Sequence, residues 1–429
     1  MKIKTSVLSY DEVMAKAVAK REKPLRPNLF FRTLLRVASI PDLLFVRFTC
    51  HRIGMENLPK DQPCLILMNH SCFLDLEIAA TLLFPHPFNI ICTSDGFVGK
   101  NWLMRQLGCI PTLKFVTDTS LVRDMLYAVR TLRTSILMYP EASYSFDGTA
   151  TTLPESLGSL LKMLRVPVVL IRTYGAFQRQ PLYNGLRKRR VQVTADMEYL
   201  LSPEEIEEKS TEELQALLEE RFSFDHFRWQ QENNIRITEK TRAIGLNRVL
   251  YRCPDCLSEG GMKSEGTGIT CTCCGRSYTL TEGGTLAAAD NGPVRFSHIP
   301  DWYRWQRETV RQELEDGTYA LDTEVDIFMM VDKSGVYRVG EGHLHHDREG
   351  FHLTGCDGKL DYRQKPLSSY SLYSDYYWYE IGDMICIGDQ RALYYCFPKG
   401  SGDVVAKTRL AAEELYRLVK AEKQRKVLK

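Results

Sequence analysis

Residues 64–75, Cys-Leu-Ile-Leu-Met-Asn-His-Ser-Cys-Phe-Leu-Asp, carry a fold signal and a chemical signal together. The apolar run 64–68 has the length and composition of a buried strand, and residues 72–84 have helical spacing. His70 therefore falls where a strand ends, and Asp75 in the first turn of the helix that follows. A helix N-terminus favours negative charge, so Asp75 is expected to stay ionised. It can then hold one imidazole nitrogen and leave the other free to take a proton. Such a pair needs no serine or cysteine nucleophile; it suits activation of a substrate's own hydroxyl. His352 and Asp357 repeat the spacing, but Gly355 lies between them and no helix follows, so that pair is set aside.

Outward from this stretch, apolar runs at 64–68, 89–92, 135–139, 166–173 and 190–199 alternate with helical patterns near 72–84, 101–107, 118–133 and 155–165. Alternation of this kind predicts an α/β architecture, a mixed sheet flanked by helices. Ser202-Pro203-Glu204-Glu205 reads as a capping box with proline at the first helical position, and Ser210 with Glu213 offers a second helix start. The domain is expected to span 56–245.

Three further motifs follow His70 and Asp75. Leu107-Gly108-Cys109-Ile110-Pro111-Thr112 ends a short helix, Tyr139-Pro140-Glu141-Ala142-Ser143-Tyr144 ends a strand, and Val166-Pro167-Val168 opens another. In this order, over about residues 30–225, the chain resembles the lysophosphatidate (1-acyl-glycerol-3-phosphate) acyltransferase family. The resemblance implies an α/β acyltransferase domain that moves a fatty acyl group from a thioester to a hydroxyl. The donor would be acyl-CoA or acyl-carrier protein, and the acceptor a lysophospholipid or glycerol phosphate. His70 would be the general base and Asp75 its orienting partner. Asn69, Lys114, Glu141 and Ser143 would bind substrate, with Glu141 placing the acceptor and donors near 108–112 meeting its head group.

Two departures bear on the acceptor. Ala142, Ser143 and Tyr144 stand where the family has Gly, Thr or Ser, and Arg; the second motif also lacks its arginine. Tyrosine cannot replace a bidentate guanidinium. Either Lys114, Arg105 or Arg172 supplies the charge, or the acceptor is not plain lysophosphatidate. A catalytically weak lipid-surface adaptor built on the same domain is the alternative.

The whole chain of 429 residues has 56 basic and 54 acidic side chains, so net charge selects no partner; at 44% hydrophobic it is not a disordered chain. The length has room for about three domains. Locally the balance differs: residues 1–52 hold 11 Lys and Arg against 4 acids. Leu29, Phe30, Phe31, Leu34, Leu35 and Ala38 fall near helical spacing beside Arg32 and Arg36. Pro41 is expected to end this helix, and residues 43–48 to begin a second apolar stretch between Arg47 and Arg52. A basic amphipathic arm over 1–55 suits an anionic membrane surface. No apolar run approaches the ~20 residues of a bilayer span, and Lys2 and Lys4 introduce no secretory signal. The expected place is the cytoplasm, peripherally on the inner face of a membrane.

Five of 13 cysteines crowd into 253–274. Cys253 with Cys256 and Cys271 with Cys274 form two Cys-x2-Cys knuckles, the pattern of a closed structural zinc ribbon over 250–285, with Cys273 spare. Nearby cations are limited to Arg252, Lys263 and Arg276, which argues against a nucleic-acid footprint. Residues 295–429 predict one helix at 301–315, a run of short strands, and a final helix over 403–424: a β-rich barrel or sandwich closed by a helix. The tyrosine-rich run 370–379 should pack it. His343, His345, His346 and His352 are expected on an exposed hairpin. The outline is similar to pleckstrin-homology-like or GRAM-like domains, which implies lipid or protein binding.

Overall fold

The computed structural model describes residues 3–16, 21–116, 118–400 and 404–427; expectations that fall on Lys2, Lys20 and Asp403 lie outside them. A seven-stranded mixed sheet forms the first layer structure. Its order is Thr49–Ile53, Thr194–Leu201, Val168–Tyr174, Leu65–Met68, Ser135–Met138, Phe88–Thr93 and Cys109–Thr112. Each strand predicted from an apolar run is present, with its ends moved by a few residues. Leu65–Met68 is wholly buried at the centre and runs parallel to both neighbours, Ser135–Met138 and Val168–Tyr174. The carboxyl ends of these three strands therefore open on one edge, the usual place for a site in such sheets.

Helices cover both faces. Leu74–Leu83 buries Ile78, Ala79 and Leu83 on one side, while Leu157–Leu164 and Thr211–Arg221 bury leucines on the other. Both capping boxes form: Glu205 N–H donates to Ser202 Oγ at 3.1 Å, and Glu213 N–H to Ser210 Oγ at 3.1 Å.

Pro41 does not end its helix, which runs unbroken from Leu29 to Phe45. Proline removes one backbone donor. Pro41 lies on the exposed side, where water can satisfy the released carbonyl, and the next turn resumes with Val46 N–H on Asp42 C=O at 3.0 Å. The second apolar stretch is thus the last turn of the same helix. Asp42 pins it to the sheet domain through Arg179 at 2.8 Å and Lys188 at 2.6 Å.

The start of the basic arm is not free. Thr5–Val7 pairs in parallel with 336–338 of the tail sheet, and the short helix Tyr10–Met14, capped by Ser9, buries Val13. Among the described residues of the expected arm, exposed apolar side chains gather from Leu29 onward, with Val7 and Leu25 exposed singly before them.

The cysteine-rich segment folds as a four-stranded antiparallel sheet, followed by the helix Ile299–Glu315. The tail contributes seven strands of an eight-stranded sheet, the eighth being Thr5–Val7, and is closed by the helix Val404–Val427. His346 departs from the expected exposed hairpin. It is buried, stacks on Phe351 with ring centres 3.8 Å apart, and its Nδ1 meets the Tyr319 hydroxyl at 3.0 Å. One apolar core joins the ribbon, Trp302 and the tail sheet to Phe146, Phe177 and Phe227 of the first sheet domain.

Candidate active site

His70 leaves the central strand two residues after its end, and Asp75 sits in the first turn of the next helix. The turn between them folds around the carboxylate. Asp75 Oδ2 accepts from Ser71 N–H at 2.6 Å and Cys72 N–H at 3.0 Å, and lies 3.3 Å from His70 Nδ1. Its other oxygen accepts from the Thr173 hydroxyl at 3.3 Å. An acceptor so loaded with N–H donors is a carboxylate, and it selects the tautomer in which Nδ1 carries the proton. Nε2 is then the basic nitrogen. Burial pulls the imidazole's pKa below its ordinary value, against the opposing pull of Asp75, so the ring is neutral and able to accept a proton. Its side chain is 23% exposed and can be reached.

Glu141 lies in the turn that follows the neighbouring parallel strand Ser135–Met138. Its Oε2 accepts the His70 backbone N–H at 3.1 Å, and its Oε1 accepts the Thr151 N–H at 2.8 Å. Burial pushes its carboxyl up to about 7. Tyr139 and Tyr144, from either end of the third motif, pack on the imidazole with ring centres 4.1 and 4.4 Å away. The ring is held between a carboxylate, a backbone anchor and two aromatic faces.

The expected substrate-binding residues divide. Asn69 is 1% exposed; its amide donates to Thr173 C=O at 3.1 Å and accepts from Thr173 N–H at 2.8 Å, so it stitches two strands. Glu141 and Ser143 are likewise buried and engaged within the protein. Glu141 thus holds the His70 backbone N–H; the resemblance implied that it places the acceptor. Lys114 does border the site, as a cation that lowers the His70 pKa. It lies over the Tyr373 ring at 4.1 Å, with Asp95 and Asp375 its main acidic neighbours, and burial lowers its own pKa. Arg105 is paired with Glu22, and Arg172 lies near Asp196 and Glu198.

A guanidinium does reach the third motif, from an unexpected direction. Arg409 of the C-terminal helix donates through Nη2 to Ser143 Oγ at 2.9 Å, across 266 positions of sequence. The tail sheet closes the same side: the Tyr373 hydroxyl donates to Asp95 at 2.7 Å, and Trp378 Nε1 to Asp95 at 3.3 Å. Thr151, Thr173 and Arg409 carried no sequence signal, since each acts through a contact with a distant partner.

Away from this edge, the sulfurs of Cys253, Cys256, Cys271 and Cys274 all lie within 4.8 Å of one another, a group able to hold a metal ion. The Cys253–Cys274 and Cys256–Cys271 separations are 3.8 and 3.6 Å. Four thiolates set tetrahedrally at Zn–S ≈ 2.3 Å stand about 3.8 Å apart, so the donor set fits zinc. Cys273 is exposed and outside the group.

Residues 49–172 match the family model described as Acyltransferase. No curated protein matches the chain. Among solved structures, the 1-acyl-sn-glycerophosphate (LPA) acyltransferase PlsC from Thermotoga maritima is similar at 18% identity and a TM-score of 0.37, over 45% of this chain and 77% of that one. The matched stretch takes in His70, Asp75, Lys114, Glu141 and Ser143.

Proposed function

We propose that the protein transfers a fatty acyl group from acyl-CoA or acyl-carrier protein to the hydroxyl of a lysophospholipid or glycerol-phosphate acceptor. The carrying observation is the His70–Asp75 pair, with Nδ1 turned to Asp75 and Nε2 left for a substrate hydroxyl. Nε2 takes the hydroxyl proton as the oxygen attacks the thioester carbonyl. The new C–O bond forms, the C–S bond breaks, and the thiolate leaves with the proton His70 returns. Asp75 stabilises the imidazolium between these steps. Glu141 keeps the His70 backbone in place, and Lys114 is the cation nearest the acceptor's anionic end. A non-catalytic adaptor would have no need of a neutral imidazole with a selected tautomer.

The membrane surface fits the helix Leu29–Phe45, on which Phe30, Leu34, Val37, Pro41 and Leu44 form one exposed stripe. Trp102, packed on Phe31, extends it, and Arg36 within the helix and Arg26, Arg47 and Arg52 near it in sequence are exposed. Such a face lies in an anionic interface without crossing it. No helix among the described residues is long and apolar enough to cross a membrane. The four cysteines would hold a structural zinc, leaving no open position for catalysis.

The test is product analysis. Vesicles, thioesters on both carriers and a panel of lysolipids are incubated with the protein, and lipids are read by mass spectrometry. A new diacyl species is expected from one class of acceptor. Absence of product from every pair would leave the adaptor.

A further inference from the structure

The C-terminal helix Val404–Val427 lies along the loop that holds Glu141. Arg409 reaches Ser143, Arg417 Nη2 donates to Thr152 Oγ1 at 3.1 Å, and Tyr416 and Lys420 both meet Glu155. Three rungs therefore fasten residues 143–155 to a helix far away in sequence. Thr151, between two of those rungs, is the residue that shares Glu141 with His70.

Arg409 is 4% exposed. Its Nε meets Glu413 Oε1 at 3.3 Å, and Glu413 is itself held by Arg307 and by the Ser371 hydroxyl at 2.7 Å. The Arg409 Nη1 is buried with no hydrogen-bond partner. A guanidinium held this tightly by one carboxylate, with one of its amino groups unsatisfied, costs stability where it stands. That cost points to a role in the site it adjoins.

We propose that Arg409 is a positioning residue of the acyltransferase site, which holds the Tyr139–Tyr144 loop through Ser143 and so keeps Glu141 on the His70 backbone N–H. The inference rests on the reaction proposed above. Glu141 accepts N–H donors at both oxygens, and a proton on either would face a donor and break one contact. Facing Glu141 are the His70 N–H, the Thr151 N–H and hydroxyl, and the charge of Arg409, which opposes the rise that burial imposes on its pKa. Facing His70 in turn are Asp75, Lys114, Tyr139 and Tyr144. The C-terminal helix thus brings to the third motif a guanidinium that Tyr139–Tyr144 lack.

The experiment compares the full-length protein with Arg409→Met, Arg409→Lys and Arg417→Met. Arg417→Met loosens a neighbouring rung without touching the charge at Ser143. Two readouts are taken against pH: acyl transfer, and modification of His70 by diethyl pyrocarbonate, followed by mass spectrometry. Arg409→Met is expected to move the acid limb of acyl transfer up by about one pH unit, about tenfold less activity on the acid side, with KM for the thioester unchanged, and to move upward the step in His70 modification at which Glu141 releases the His70 backbone. Arg409→Lys should restore most of the shift, and Arg417→Met should leave the limb in place. Unmoved profiles in a folded Arg409→Met protein overturn the inference, as does an equal shift from Arg417→Met. A parent that transfers no acyl group would sink the proposed reaction instead, and the His70 modification profile would still decide the role of Arg409.

Discussion

Asp75 accepts two backbone N–H groups and the imidazole Nδ1 at one oxygen, which couples the shape of the 70–75 turn to the protonation of its histidine. His70→Ala removes the base; transfer should fall by on the order of 10²-fold or more, with thioester binding retained. The acid limb of the rate should belong to Glu141 and not to His70. Burial raises the Glu141 carboxyl to about 7 and lowers the imidazole, so His70 is already neutral where Glu141 begins to lose its charge. Activity is expected to rise with pH through about 7 and to fall below it. Glu141→Gln cannot titrate: its kcat/KM profile should be lower but should keep its level down to the pH where His70 protonates, below the ordinary histidine value. A limb that stays near 7 in that variant would return the titration to another group.

At the scale of elements, the helix Leu29–Phe45 and the cysteine sheet each make a separate prediction. Burying a large apolar side chain is worth about 1.5–3 kcal/mol, and Phe30, Leu34 and Leu44 are each more than half exposed. Replacing all three by serine should weaken sedimentation with anionic vesicles by about 10²-fold or more, with activity on detergent-dispersed substrate retained. Equal binding by the triple variant would remove the helix from the membrane account. For the cysteine group, one zinc per chain is expected by elemental analysis, and Cys256→Ser should lose it. The metal-free sheet should loosen around Tyr278, whose ring packs edge-on against Trp302 at 5.1 Å, so tryptophan fluorescence should report the loss. The elements themselves were readable from local pattern: the capping boxes at Ser202 and Ser210, the two Cys-x2-Cys knuckles and the strand of Leu65–Met68 all depend on neighbours in sequence. Pro41 misled because its cost depends on whether water can reach the carbonyl it frees, and that is a property of the assembled surface.

At the scale of the whole molecule, the chain reads as successive modules but packs as one body. Residues 5–7 add a strand to the tail sheet, and the C-terminal helix returns to the third motif. Neither could be read from pattern, because a β-edge and a helix face do not name their partners. The same limit explains Asn69, Glu141 and Ser143: the motif marked them as site residues, while Thr173, Thr151 and Arg409 decide which of their atoms remain free. Glu413 ties this closure together, its carboxyl held down to about 2 against burial by Arg307 and Arg409. Its stabilisation is present above the ordinary glutamate value of about 4.3 and is lost as pH falls toward 2. Glu413→Ala leaves both guanidinium groups without their shared carboxylate and should cost about 3–5 kcal/mol in denaturant unfolding. In the proposed reaction His70 drives acyl transfer to a lipid hydroxyl. Thiol release from a long-chain acyl thioester, measured with and without added lysolipid in the parent and in His70→Ala, tests it most directly. Release that depends on the lysolipid in the parent and is lost in the variant is the predicted result. Release at equal rates in parent and variant, or none in either, would contradict it.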